Sequence, residues 1–227
     1  MIEKKTKYFY TSYRQNMLTI PILSSISVVI LALTVILSLI GFQKPDIQNK
    51  LIYNPYRVHQ RGEYYRFLSS GFIHANFLHL FFNMFSFILF ALQVETVYIQ
   101  QLGAINGRVL FVAMYLFSIV ISDLPSYFKY KDKSYYNSLG ASGGVSAIVF
   151  AAILFNPTQQ IMIYFIPLPG FILGILYLIY SYFQARNSND NINHSAHLWG
   201  AVFGFIVSAA LIPSSLQNFV VRIIHWF

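Results

Sequence analysis

Between Lys133 and Arg186 the chain runs for 52 residues without a charged side chain, and a second charge-free stretch reaches from Arg14 to Lys44. Water-soluble domains carry roughly 25% Asp, Glu, Lys and Arg, which they need to cover their surface. Here 10% of residues are charged and 56% are hydrophobic, with 22 Phe and 17 Tyr among them. Lipid is the solvent that suits such a composition. In lipid the backbone must pair within its own segment or around a closed barrel. No strand-length alternation of polar and apolar residues is present, so the spans are expected to be helices.

The apolar segments can be counted. Met17 to Phe42 is longer than a signal-peptide core of about 7 to 15 residues and ends in no small-residue cleavage pattern, so it reads as an uncleaved first span. Phe67 to Leu92 is apolar but carries Ser69, Ser70, His74, Asn76, His79 and Asn83. Val109 to Leu124 is a short third run that encloses Asp123 near its end. The long uncharged stretch breaks at Asn156-Pro157-Thr158-Gln159-Gln160 and accommodates two spans, 140–155 and 161–182, joined by a short turn. His197 to Ile212 closes the set. The expected fold is all-α, a polytopic bundle of six transmembrane helices over 17–213, between a cytoplasmic tail, 1–16, and a short C-terminal tail, 214–227.

The absence of cysteine excludes disulfides, thiolate catalysis and cysteine metal sites. The net charge of +8 lies in tails and loops rather than in a stripe, which points to anionic headgroups instead of nucleic acid. The four basic residues Lys4, Lys5, Lys7 and Arg14 immediately before the first span favour a cytoplasmic N-terminus, although the later loops carry more Lys and Arg on the other side.

Crossing parity makes the sharpest geometric expectation. The second, fourth and sixth spans run in the same direction, so their starts share one side of the membrane. Those starts carry His74, His79 and Asn83, then Ser142, then His194 and His197. Polar groups in a span face the bundle interior or a wet cavity, because hydrocarbon offers them no partner. His79 and Asn83 are four apart and share a helical face. The small residues of Gly140-Ala141-Ser142-Gly143-Gly144 and the pair Gly200 and Gly204 let the fourth and sixth helices approach closely. Ser142 and His197 would then lie within reach as nucleophile and general base. The Ser142 N–H, the Asn83 amide and a His79 N–H would stabilise the oxyanion. No acidic residue lies between Lys133 and Arg186, so a dyad is the simpler arrangement, a triad with Asp190 as a distant orienter being the alternative.

Each residue alone has a plainer reading. Ser142 can be packing at a helix start, His197 an interhelical hydrogen bond, and His74, His79 and Asn83 a satisfied polar network. His59 and His194 read as solvated loop residues, and His225 beside Trp226 as interface material. Four histidines at one end invite a metal, but there is no His-Glu-x-x-His pattern and no carboxylate in the cluster. No cofactor or metal is therefore expected. A transporter would show paired repeats with broken spans, which are not evident.

Three elements together resemble the rhomboid family of intramembrane serine proteases. They are Gly-Ala-Ser-Gly at 140–143, Ala-His-Leu-Trp-Gly at 196–200 with Gly204, and His74-Ala-Asn-Phe-Leu-His79-Leu-Phe-Phe-Asn83-Met84. They occur in the family's order and spacing across about residues 57–212. The resemblance implies Ser142 as nucleophile, His197 as general base, His79 and Asn83 in oxyanion stabilisation and His74 at the cavity entrance. It implies cleavage of transmembrane or juxtamembrane segments of single-span and other membrane proteins, with lateral entry near the fifth span. The compact form without an added domain suggests a bacterial plasma membrane. The oligomeric state is not read. The other reading within the family is a non-catalytic protein that binds membrane helices or serves quality control. Two departures stand out: Tyr65 replaces the Trp of the usual Trp-Arg pair, and Ser146 stands where many members place Tyr or Phe against the catalytic histidine.

Overall fold

The computed structural model describes residues 24–163, 165–187 and 193–227, and these are almost entirely helical. The helices are α1 (Ile26–Gln43), α2 (Pro45–Leu51), α3 (Pro55–Arg61), α4 (Arg66–Ser69), α5 (Phe77–Leu102), α6 (Ala104–Tyr130) and α7 (Ser142–Phe155). A hairpin of β1 (Gln160–Ile163) and β2 (Ile166–Pro169) then leads to α8 (Gly170–Asn187), α9 (His194–Leu211) and α10 (Pro213–Ile224). Among the described residues four helices, α1, α5, α6 and α9, are long and apolar enough to cross a bilayer. They account for four of the six expected crossings; at the other two, α7 is apolar but has only 14 residues, and α8 has 18.

Three expected segments move. The second span begins at Phe77 instead of Phe67, because Ser70–Phe72 tightens into a 3₁₀ turn and Asn76 caps a new helix by accepting the His79 N–H at 2.9 Å. The third extends over 27 residues rather than 109–124. It starts from Gly103, whose φ of +87° makes a turn that an L side chain resists. It passes through Asp123 and Pro125 because Asn193 donates to the Asp123 carboxylate at 3.0 Å and Ser126 donates to Asn193 at 3.1 Å. The fifth expected span, 161–182, is a hairpin followed by a helix. Pro167 and Pro169 lack the N–H a helix needs, and β1 pairs antiparallel with β2 from Gln160 opposite Pro169 to Ile163 opposite Ile166.

At the centre stands α7, buried along almost its whole length and packed against α5, α6 and α9. Glycine makes that packing close. A Cβ on Gly144 would lie 2.6 Å from the Tyr115 ring of α6, and one on Gly200 or Gly204 of α9 would strike the backbone of Gly143 or Ala147. Residues 44–72 fold as a lateral shelf. Buried Arg66 holds it together by pairing with Glu63 and donating to the carbonyls of Asn49 at 3.1 Å and Ile52 at 2.7 Å. Residues 213–224, expected as part of a tail, form an amphipathic helix. Its Phe219 packs on Phe205 of α9, while Leu216, Val220 and Ile224 stay exposed as an apolar stripe.

Candidate active site

Ser142 is the first residue of α7, half-buried, and the residue before it, Ala141, offers no side-chain cap. The starts of α1, α3, α5 and α9 are all capped by side chains, from Ser25, Asn54, Asn76 and Asn193. The opening amides of a helix have no acceptor within it, and at α7 the capping residue supplies none.

The strand leading to Ser142 is clamped by the shelf. Ser138 and Tyr53 exchange backbone hydrogen bonds of 3.0 Å each, and Gly140 N–H donates to Ser70 O at 2.9 Å. Gly140 adopts a φ of +125°, and the His79 ring lies so near that a Cβ there would come within 2.6 Å of it. Ala141 N–H donates to His74 Nε2 at 3.3 Å. That leaves the proton of neutral His74 on Nδ1, from which it donates to Ser38 Oγ of α1 at 2.9 Å; the Ser38 hydroxyl donates in turn to Phe72 O at 3.2 Å. Burial, reinforced by neighbouring His79, pushes His74 down to about 3, so the ring stays neutral and this directional chain is stable. His74 is fully buried. It bridges α1 and the approach to Ser142.

His79 and His74 meet edge to face, with centroids 5.0 Å apart. Asn83, one turn along α5, is buried and donates one amide hydrogen to His79 O at 2.9 Å, which leaves its second hydrogen for another acceptor.

His197 lies in the first turn of α9, half-buried. A Cβ on Gly200, three residues on, would lie 2.2 Å from Gly143 O, so the two backbones touch one residue beyond Ser142 and one turn beyond His197. Two aromatic rings pack beside His197, and one of them escaped the sequence reading. His194 is buried, not a solvated loop residue, and its ring meets His197 edge to face at 5.7 Å and Tyr180 at 5.6 Å. Tyr177 of α8 lies parallel to the His197 ring, 19° from coplanar with centroids 6.2 Å apart. Its hydroxyl hydrogen-bonds the Ser146 hydroxyl at 2.7 Å. The sequence already paired His194 with His197, three apart at the start of one span; no local pattern signals Tyr177. Among the described residues, no three His, Asp or Glu side chains gather into a metal-binding group. Asp190 lies outside the described residues.

A rhomboid domain profile matches residues 61–214. The chain belongs to the rhomboid family. This rhomboid is 28% identical over 158 residues to RHOMBOID-like protein 12, mitochondrial, of Arabidopsis thaliana, covering 66% of this chain and 47% of that protein. It is 29% identical over 153 residues to YdcA of Bacillus subtilis (strain 168), named provisionally as a rhomboid protease, covering 65% and 67% of the two chains. Presenilin-associated rhomboid-like protein, mitochondrial, of Rattus norvegicus is 31% identical over 147 residues, covering 60% of this chain and 35% of that one. The match thus spans about half or less of the mitochondrial relatives and two thirds of the bacterial one. The apolar helices and the family together make this rhomboid an integral membrane protein. Relatives of bacterial and mitochondrial origin do not select the bacterial plasma membrane over another.

Proposed function

We propose that this rhomboid is an intramembrane serine endopeptidase that cleaves transmembrane or juxtamembrane segments of membrane proteins with a Ser142–His197 dyad. The observation that carries the reading is the uncapped start of α7, pressed by Gly143 against Gly200 of the helix that bears His197. A nucleophile, a base one turn from the helix contact and unpaired backbone donors are then gathered at one end of the bundle. In the reaction Ser142 Oγ attacks the scissile carbonyl while His197 accepts its proton. The carbonyl electrons collect on oxygen, where the Ser142 N–H, His79 and the second Asn83 hydrogen donate to them. Return of the proton from His197 to the leaving amine breaks the C–N bond and leaves the acyl-enzyme, which water hydrolyses with His197 again as base.

The proposal includes six crossings with the N-terminus inside, α7 and α8 being the two beyond the four long helices. Because the chain contains no cysteine, single introduced cysteines report sidedness directly. Labelling at Asn137→Cys from outside and at Leu216→Cys only after permeabilisation is the expected pattern; the reverse overturns the orientation.

The decisive assay uses liposomes containing a single-span substrate with a helix-destabilised segment. Ser142→Ala and His197→Ala each abolish cleavage with the protein still folded, and a fluorophosphonate labels wild type but not Ser142→Ala. Undiminished cleavage by Ser142→Ala overturns the dyad. The non-catalytic reading instead expects substrate-helix binding with neither labelling nor cleavage.

A further inference from the structure

Where many rhomboids carry an aromatic residue one turn after the nucleophile, this chain has Ser146, a side chain too short to reach across a ring. The space against His197 is nevertheless filled. Tyr177 comes from α8, a different helix, and lies parallel to the imidazole at an offset typical of favourable ring pairs, which have centroids about 4.5 to 7 Å apart. The hydroxyl of Ser146 is what holds Tyr177 in place, through the 2.7 Å hydrogen bond between the two side chains. Phe150, one turn beyond Ser146 on α7, tilts against the Tyr177 ring at 5.7 Å. The tyrosine is therefore held at its hydroxyl and on its ring by α7, and lies parallel to His197 of α9.

The helix that carries it is held along one narrow seam. On α8 the buried side is Gly170, Phe171, Gly174 and Ser181, with Tyr177 in the same line, whereas Ile175, Leu176, Ile179, Tyr180, Tyr182 and Phe183 are exposed. Two of the seam residues are glycines. A Cβ on Gly174 would touch Ile153 at 3.3 Å, so they permit contact without adding much of it. The Ser146–Tyr177 bond and the Tyr177–His197 stack thus join the Tyr180–His194 contact in linking α8 to the site.

We propose that Tyr177 is the positioning residue for His197 and that Ser146 fixes Tyr177, so that docking of α8 on α7 sets the orientation of the general base. The proposal rests on the reading of His197 as that base. It turns the loss of an aromatic residue at 146 into a relocation: the ring has moved to α8, and the small hydroxyl left behind is its anchor. A displacement of α8 away from α7 withdraws the Tyr177 face from the imidazole.

The test uses the full chain in liposomes, with cleavage kinetics, fluorophosphonate labelling and NMR of selectively labelled histidines, the His197 signal being assigned with His197→Gln. Tyr177→Ala is expected to lower kcat by about tenfold to a hundredfold, the range set by small misplacements of a reacting group. KM changes little, labelling slows in proportion, and the titration of His197 and the acid limb of the pH–rate profile move together. Tyr177→Phe, which keeps the ring but loses the bond to Ser146, and Ser146→Ala, which removes the other half of that bond, fall together between wild type and Tyr177→Ala; wild-type rates in both overturn the anchoring role of Ser146. Tyr177→Leu serves as the second variant, retaining bulk at the seam if the alanine substitution unfolds the bundle. Wild-type kinetics and an unmoved His197 signal in folded Tyr177→Leu or Tyr177→Ala overturn the positioning role while leaving the dyad intact. A wild-type protein that neither cleaves nor labels overturns the dyad, and with it the catalytic meaning of the shelf.

Discussion

The start of α1 and the start of α7 are both helix N-termini inside the protein, and they are treated in opposite ways. At α1 the chain supplies more acceptor than a cap requires. Glu95, buried on α5, accepts the N–H groups of Ile26 and Ser27 at 3.0 Å each and the hydroxyls of Ser25 and Ser27, with Arg108 3.6 Å away. At α7 the capping position is Ala141, whose side chain can accept nothing. Both sites carry positive dipole ends. One is met by the protein's own Glu95 side chain, and the other, under the proposed function, would receive the charge that arrives with a reaction.

Two substitutions would break this comparison most directly. Ser142→Ala should reduce cleavage by at least about a thousandfold and leave thermal unfolding where it was. Glu95→Ala should do the reverse. Removing a buried charge that so many donors converge on costs about 3 to 5 kcal/mol, read as a lower unfolding midpoint in detergent, while cleavage per folded molecule stays near wild type. Should Glu95→Ala kill activity in fully folded protein, or Ser142→Ala unfold it, the division of roles fails.

A smaller effect sharpens the α7 side. Gly140→Ala forces a side chain into a φ of +125° and into the His79 ring. A stability loss of about 1 to 3 kcal/mol should accompany a fall in activity beyond what unfolding explains, because His79 is displaced. The smallest effect belongs to the shelf. Burial opposes ionisation of Glu63, but hydrogen bonds from Arg66 and Arg57 outweigh it and hold the carboxyl below its usual range. A depressed carboxyl stabilises the fold above its unfolded value and loses that contribution as pH falls through the folded one. Glu63→Gln should therefore cost about 1 kcal/mol or less near neutral pH, and the difference from wild type should vanish in acid.

How much of this was readable in the sequence differs by region for a physical reason. Membrane residence followed from charge-free length, and the three motif segments were visible because each is local: His79 and Asn83 repeat at helical spacing, and Ser142 and His197 sit among glycines. Segment ends were read less well. The polar residues at 69–76 looked like interruptions in a span, whereas they belong to the turn and extended chain before Asn76 caps α5. Asp123 looked like a terminator, yet Asn193, 70 positions away, satisfies its carboxylate and lets α6 continue. Tyr177 had no signature at all, because a ring stacked across two helices leaves no period in either of them.

The length of α7 has a geometric consequence. At about 1.5 Å per residue its 14 residues reach about 21 Å, against a hydrocarbon core of about 30 Å. Its far end is moored where Arg222 of the amphipathic α10 donates to Asn156, the residue that ends α7. The helix then works as a ruler with its zero at that mooring. Under the proposed function, the height at which a peptide bond would meet Ser142 is measured by counting residues of α7, so the point of cut along a partner's span would be encoded in the spacing between Arg222 and Ser142 as well as in the partner's side chains.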